Sequence, residues 1–133
     1  MPFVNIKLVK GQISKKQKNR IIEGITDLIV NIMNRDRNLT VITVDELSSD
    51  DWAIGGKTIE AITPARIPVF INIKVSKGTT TAEEINKMIA ASKELLTSIL
   101  GNSDECNYFI VDELNPDMWG FDGQTMTERR KNR

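Results

Sequence analysis

The sequence predicts an α/β protein built from two tandem βαβ units. These form one four-stranded sheet with both helices on one face. Three observations predict it. The chain repeats itself at an offset of 67 residues. Each half opens on a strand with alternating apolar residues. Each half then runs through an amphipathic helical stretch into a second strand.

The repeat is read directly from the 133 residues. Val4-Asn5-Ile6-Lys7-Leu8-Val9-Lys10-Gly11 returns as Ile71-Asn72-Ile73-Lys74-Val75-Ser76-Lys77-Gly78. Val44-Asp45-Glu46-Leu47 returns as Val111-Asp112-Glu113-Leu114, and Trp52, Gly56 and Thr58 return as Trp119, Gly123 and Thr125. Residues 3–59 and 70–126 share 18 identities in 57 ungapped positions. Unrelated segments of ordinary composition would share about 4. The chain reads as a single domain, 1–133, with repeats 2–59 and 69–126. Residues 60–68 read as a linker and 127–133 as a polar, mobile tail.

The first strand of each half places Val4, Ile6 and Leu8, or Ile71, Ile73 and Val75, on one face. Ser14 with Gln17, and Thr81 with Glu84, have the spacing of a capping box. The first helix then aligns Ile21, Ile22, Ile25, Leu28, Ile29, Ile32 and Met33. The second aligns Ile85, Met88, Ile89, Leu95, Leu96, Ile99 and Leu100. Asn34 and Gly101 fit the residue after each helix, because both tolerate positive φ. Second strands follow around Leu39–Glu46 and Cys106–Glu113, and each half closes in turns around its Trp and Gly. A strand–helix–strand crossover makes its two strands parallel. The sheet's other face would carry Phe3, Val9, Val41, Phe70 and Tyr108. Such a face needs a cover, which predicts an oligomer with its sheets facing inward.

Composition excludes much catalytic machinery. There is no histidine, so no Ser-His-Asp triad and no imidazole metal ligand. The single cysteine, Cys106, allows neither an internal disulfide nor an all-cysteine zinc site, so no metal or other cofactor is expected. Eighteen basic and 18 acidic residues balance, which argues against nucleic acid and anionic membranes as partners. The basic run at Arg129–Arg133 is too short to change that. No segment reaches the roughly 20 apolar residues of a membrane span. The opening residues lack the pattern of a signal peptide, so a cytoplasmic location is expected. Adjacent Asp45 and Glu46 point to opposite strand faces, which reads as strand-end polarity and not as a carboxylate pair. Cys106 matches Leu39 and reads as a small hydrophobe.

Met-Pro at the start, a strand ending in Lys-Gly, a βα crossover and Trp52-Ala53-Ile54-Gly55-Gly56, with its copy Trp119-Gly120-Phe121-Asp122-Gly123, together resemble the 4-oxalocrotonate tautomerase family. The chain resembles a fused, double-length member. The resemblance implies the tautomerase fold, a homotrimer that mimics a hexamer of single units, and a small-molecule substrate. It implies an isomerase whose general base is the N-terminal proline exposed by removal of Met1, here Pro2. A terminal proline is a secondary amine, and burial lowers the pKa of an amine towards neutrality. The second half has Val69 at that position, and Pro68 is an internal amide.

The family's two carboxylate-binding arginines correspond to Gln12, with copy Thr79, and to Val41, with copy Tyr108. Neutral side chains do not replace that charge. Gln12 and Tyr108 remain donors for an enolate oxygen, although Tyr108 reads more readily as an interface or core tyrosine. Trp52 and Trp119 occupy the position of the family's pocket aromatic. They read either as pocket walls or as packing against a neighbouring subunit. Arg35, Arg37 and Arg66 are candidates for a relocated anchor. The expected function is therefore keto–enol tautomerisation of small enol or 2-oxo acids, with Pro2 catalytic and Gln12, Trp52, Tyr108 and Trp119 binding substrate. The alternatives are a catalytically silent trimeric scaffold and a dehalogenase- or decarboxylase-like member of the same superfamily.

Overall fold

The computed structural model describes residues 2–131. Its central sheet contains β1 (Phe3–Val9), β2 (Val41–Leu47), β5 (Val69–Ser76) and β6 (Phe109–Leu114), in the order β2-β1-β5-β6. Within each half the strands are parallel, β1 with β2 and β5 with β6. The two halves meet through an antiparallel β1–β5 pair, which makes the sheet mixed. Asn5 lies opposite its own copy Asn72 in that pair, so the repeats are related by a local two-fold at this point.

Helices α1 (Lys15–Ile32) and α2 (Ala82–Leu100) cover one face. Both begin with the capping box expected from sequence: the Ser14 and Thr81 side chains accept from the third helical N–H, and the Gln17 and Glu84 side chains accept in return from the cap N–H. Gly101 ends α2 at φ 77°, and Asn34 follows α1 at φ 56°. The helices touch at Gly24, where a Cβ would meet Leu95 Cδ1 at 2.6 Å. The core between helices and sheet consists of Val4, Ile6 and Leu8, their copies Ile71, Ile73 and Val75, and Ile21, Ile25, Ile29, Met88 and Leu96.

Each half also forms a two-residue-strand hairpin, β3 (Ala53–Ile54) with β4 (Lys57–Thr58) and β7 (Gly120–Phe121) with β8 (Gln124–Thr125). Gly55-Gly56 and Asp122-Gly123 turn them, all four at positive φ. That is the backbone a tight hairpin of matching twist requires.

Three expectations need correction. Residues 127–131 are not a loose tail: α3 (Met126–Lys131) buries Met126 and sets Arg129 over the Phe121 ring. Asn132 and Arg133 lie outside the described residues. Val9 does lie on the face opposite the helices, but it is covered there at the end of β1. Ile89, expected in the core stripe of α2, is exposed. The bare face does carry Phe3, Val41 and Tyr108, the last two 49% and 68% exposed, with Phe70 partly covered. The described residues contain no helix long and apolar enough to cross a membrane.

Candidate active site

Alternation puts Phe3, Asn5 and Lys7 of β1, and Phe70, Asn72 and Lys74 of β5, on the face opposite the helices. The register then makes rows across the sheet: Val41, Phe3, Lys74 and Asp112 in one, and Thr43, Asn5, Asn72 and Ile110 in the next. Among the described residues, two cavities open on this face. Each is built from both halves, because β1 and β5 run antiparallel.

The first cavity, about 220 Å³, joins Pro2, Phe3 and Val41 of the first half to Lys74, Trp119, Phe121 and Met126 of the second. Pro2 itself is buried. Trp119 is oriented by a 3.0 Å hydrogen bond from its Nε1 to Ser76 Oγ. Gly120 is required behind it, because a Cβ there would fall 2.0 Å from the Gln124 carbonyl oxygen. Lys74 Nζ donates to Asn72 Oδ1 and Asp112 Oδ2, both at 3.0 Å. Asn72 Nδ2 donates to the same Asp112 oxygen at 2.8 Å. The Asn72 bond and then the Lys74 bond hold the Asp112 carboxyl below its ordinary value. Two of the three ammonium donors are thus used in fixing the head. The Arg129 guanidinium lies 3.9 Å from the centre of the ring of Phe121, which lines the cavity.

The second cavity, about 410 Å³, is the counterpart at offset 67. It takes Lys7, Phe70, Cys106 and Tyr108 with Trp52 and Ala53. Lys7 Nζ donates to Asp45 Oδ2 at 3.0 Å, and Asn5 Nδ2 to the same oxygen at 3.1 Å. Val69, the counterpart of Pro2, is buried beneath α2 and does not line it. Asp51 does line it, whereas its counterpart Met118 is exposed and does not line the first cavity.

Of the residues singled out from sequence, the structure brings Pro2 and Trp119 together. It places Trp52 and Tyr108 together in the other cavity. Gln12 lines neither: its Nε2 donates to the Arg66 carbonyl at 2.8 Å, tying the linker down. The three arginines are also engaged elsewhere. Arg66 holds Asp104 through two bonds of 2.7 and 2.6 Å, which raise the arginine's pKa and lower the carboxyl's. Arg37 pairs with Asp27. Arg35 Nη2 donates to the Thr79 carbonyl and to the Thr79 and Thr80 hydroxyls. Burial lowers its pKa, with Glu84 opposing the shift and Arg130 adding to it. Lys74 and Phe121, which line the first cavity, were not singled out from the sequence. The strand alternation did mark Lys74 as facing away from the helices. Nothing in the sequence said which tryptophan it would meet. Among the described residues no group of Cys, Asp and Glu is placed to hold a metal.

The family model described as tautomerase enzyme matches twice, over residues 2–62 and 70–129. The chain belongs to that tautomerase family. A probable tautomerase of Helicobacter pylori strain J99 is 41% identical over 61 residues, 44% of this chain and 90% of that protein. The probable tautomerase K2 of Dickeya dadantii is 39% identical over 59 residues, 44% of this chain and 88% of that protein. These relatives are the length of one half of this chain. The fold matches native fused 4-OT over 98% of this chain and 99% of that one, with TM-score 0.81 and 20% identity. Pt0534, solved after inactivation by 2-oxo-3-pentynoate, matches with TM-score 0.83 and 17% identity over 96% of this chain and 98% of that one. The FG41 malonate semialdehyde decarboxylase matches with TM-score 0.77 and 18% identity over 98% and 97% of the two chains.

Proposed function

We propose that this chain is a tautomerase of small enol or 2-oxo acids, with the Pro2 nitrogen as general base. The observation that carries the reading is Pro2 buried in a cavity of its own family's fold, beside a tethered lysine and an oriented tryptophan. Removal of Met1 makes the Pro2 nitrogen a secondary amine. Burial and the neighbouring Lys74 cation both disfavour its protonated form, which brings its pKa towards neutrality. Pro2 takes the proton of the enol hydroxyl. The electron pair of the O–H bond becomes the carbonyl, the C=C electrons take a proton at carbon from prolinium, and the amine is regenerated. Lys74 supplies the positive charge that receives the substrate carboxylate. Trp119 and Phe121 pack against the flat unsaturated body.

The molecule is proposed to act as a homotrimer. The bare face with Phe3, Val41, Ile110 and Tyr108 supports association. Structural neighbours described as fused 4-OT trimers, such as the symmetric Q0 trimer with TM-score 0.80 and 14% identity over 94% of this chain and 96% of that one, support the stoichiometry.

The test follows ketonisation of phenylenolpyruvate by ultraviolet absorbance across pH, after intact mass has established loss of Met1. Activity that rises as one group near neutrality loses its proton is expected. A chain with its N-terminus extended, so that the Pro2 nitrogen is an amide, should fall to the buffer rate. Equal rates for the two would sink the base assignment. Carbon dioxide release from malonate semialdehyde in place of ketonisation would favour the decarboxylase reading, for which the FG41 enzyme's fold is the motive.

A further inference from the structure

A third cavity, of about 290 Å³, lies on the helix side of the sheet, between α2, β6 and the 103–107 loop. Its apolar lining includes Val69, Ile71, Leu96 and Phe109, and Ile89 stands at its edge, 44% exposed. Ser92 projects from α2 into this lining. It is 3% exposed, and its hydroxyl has no hydrogen-bond partner. The other hydroxyls within α1 and α2 all have one. Thr26 donates to the Ile22 carbonyl, Thr97 to Lys93 and Ser98 to Leu95, at 2.7–2.9 Å. A buried hydroxyl left without a partner is costly, so Ser92 is the exception to explain.

The repeat sharpens the contrast. The counterpart of Ser92 is Ile25, which is wholly buried. The first half fills this core position with a branched side chain. The second half leaves room there and puts a polar atom beside the room. The wall is held in place. The Arg66–Asp104 pair fixes the loop, and Asn107 Oδ1 accepts the Val69 N–H at 2.8 Å. No cation lining the cavity is buried, and Asp104 is already neutralised by Arg66.

We propose that this cavity is a second ligand site, for an uncharged single-ring molecule carrying one hydroxyl or carbonyl group. The ring would rest on Val69, Ile71 and Phe109, and a rotation of the Ser92 side chain, whose hydroxyl is closed off from solvent, would bring Oγ to its polar group. An apolar cavity of about 150 Å³ already holds benzene, so 290 Å³ accommodates a substituted ring. The site lies across the sheet from Pro2 and is independent of the tautomerase reading.

The test is a titration of the full-length, isotope-labelled protein with 4-methylphenol, and with toluene as the apolar control, followed by backbone amide shifts. Saturable shifts at Val69, Ile71, Ser92 and Asn107 are expected. Ser92→Ile, which installs the first half's own residue, should abolish them. Ser92→Ala keeps the space and should weaken 4-methylphenol about five-fold while leaving toluene unchanged; this variant also serves if Ser92→Ile does not fold. No saturable shifts, as expected if the hydroxyl binds only water, would overturn the site. So would shifts that persist in Ser92→Ile, or an equal response of both probes to Ser92→Ala.

Discussion

Around the first cavity stand Phe3, Val41, Lys74 and Trp119. Around the second stand Phe70, Tyr108, Lys7 and Trp52, their counterparts at offset 67. The frame is the same in both: an aromatic residue on a central strand, a lysine tethered to a strand-edge aspartate, and a hairpin tryptophan. The differences fall on a few positions. Pro2 is matched by Val69, Phe121 by Ile54, Arg129 by Ile62, Ser76 by Val9, and Met118 by Asp51. They give the first cavity a proline, a second aromatic ring and a hydrogen-bonded indole. They give the second an extra carboxylate and no proline. The duplicated backbone preserved the pocket twice, and the side chains that line the two copies differ. Under the proposed function only the first copy would be catalytic, because a terminal amine can serve only one of two fused units.

The comparison breaks most severely at Pro2. Pro2→Ala swaps the rigid secondary amine for a mobile primary one and should lower kcat/KM for phenylenolpyruvate by at least about 100-fold. Nothing at Val69 should matter to that rate. The lysines come next. Lys74→Met should raise KM for a carboxylate substrate about ten-fold with little change in kcat. It should also move the pH of half-maximal rate upward, because a nearby cation disfavours a protonated amine. Lys7→Met should leave both within two-fold. Equal effects of the two substitutions would mean that the cavities are not functionally distinct.

Two stability measurements refine the picture. Asp104→Asn breaks the bidentate pair that holds the loop before β6, with no counterpart pair in the first half, where Arg37 stands at the equivalent position. It should lower Tm at pH 7. The Arg66 bonds depress the native Asp104 pKa, so the stabilisation is present above the unfolded value of about 4 and is lost as pH falls through the native value. The Tm gap between wild type and variant should therefore close on acidification below about pH 4. The smallest effect is expected of Ser76→Val, which copies Val9 and removes the Trp119 hydrogen bond. It should cost about 1 kcal/mol in urea unfolding and shift tryptophan emission. Val9→Ser should not do the reverse, since Val9 is a fully buried apolar residue.

The local structure was legible because its causes are local. Period-two strands, 3.6-period helices, two capping boxes and two glycine-bearing turns each need only neighbouring residues, and the repeat supplied every one twice. The same logic failed at Ile89 and at residues 127–131. Apolar spacing cannot tell a core position from a cavity rim. A charged segment that reads as solvated can still dock through one buried methionine and one ring contact.

By itself, the sequence determined the repeat, the order of elements and the bare sheet face, and it put a proline ahead of the first strand pair with a valine at the equivalent place in the second. Only the tertiary structure decided what that proline meets. Because β1 and β5 pair antiparallel about Asn5 and Asn72, the start of the first half lies against the end of the second. Pro2 therefore shares a cavity with Trp119 and Lys74, and Trp52 and Tyr108 go to the other. Strand order and direction between repeats depend on contacts between residues about 70 positions apart, which no local pattern encodes.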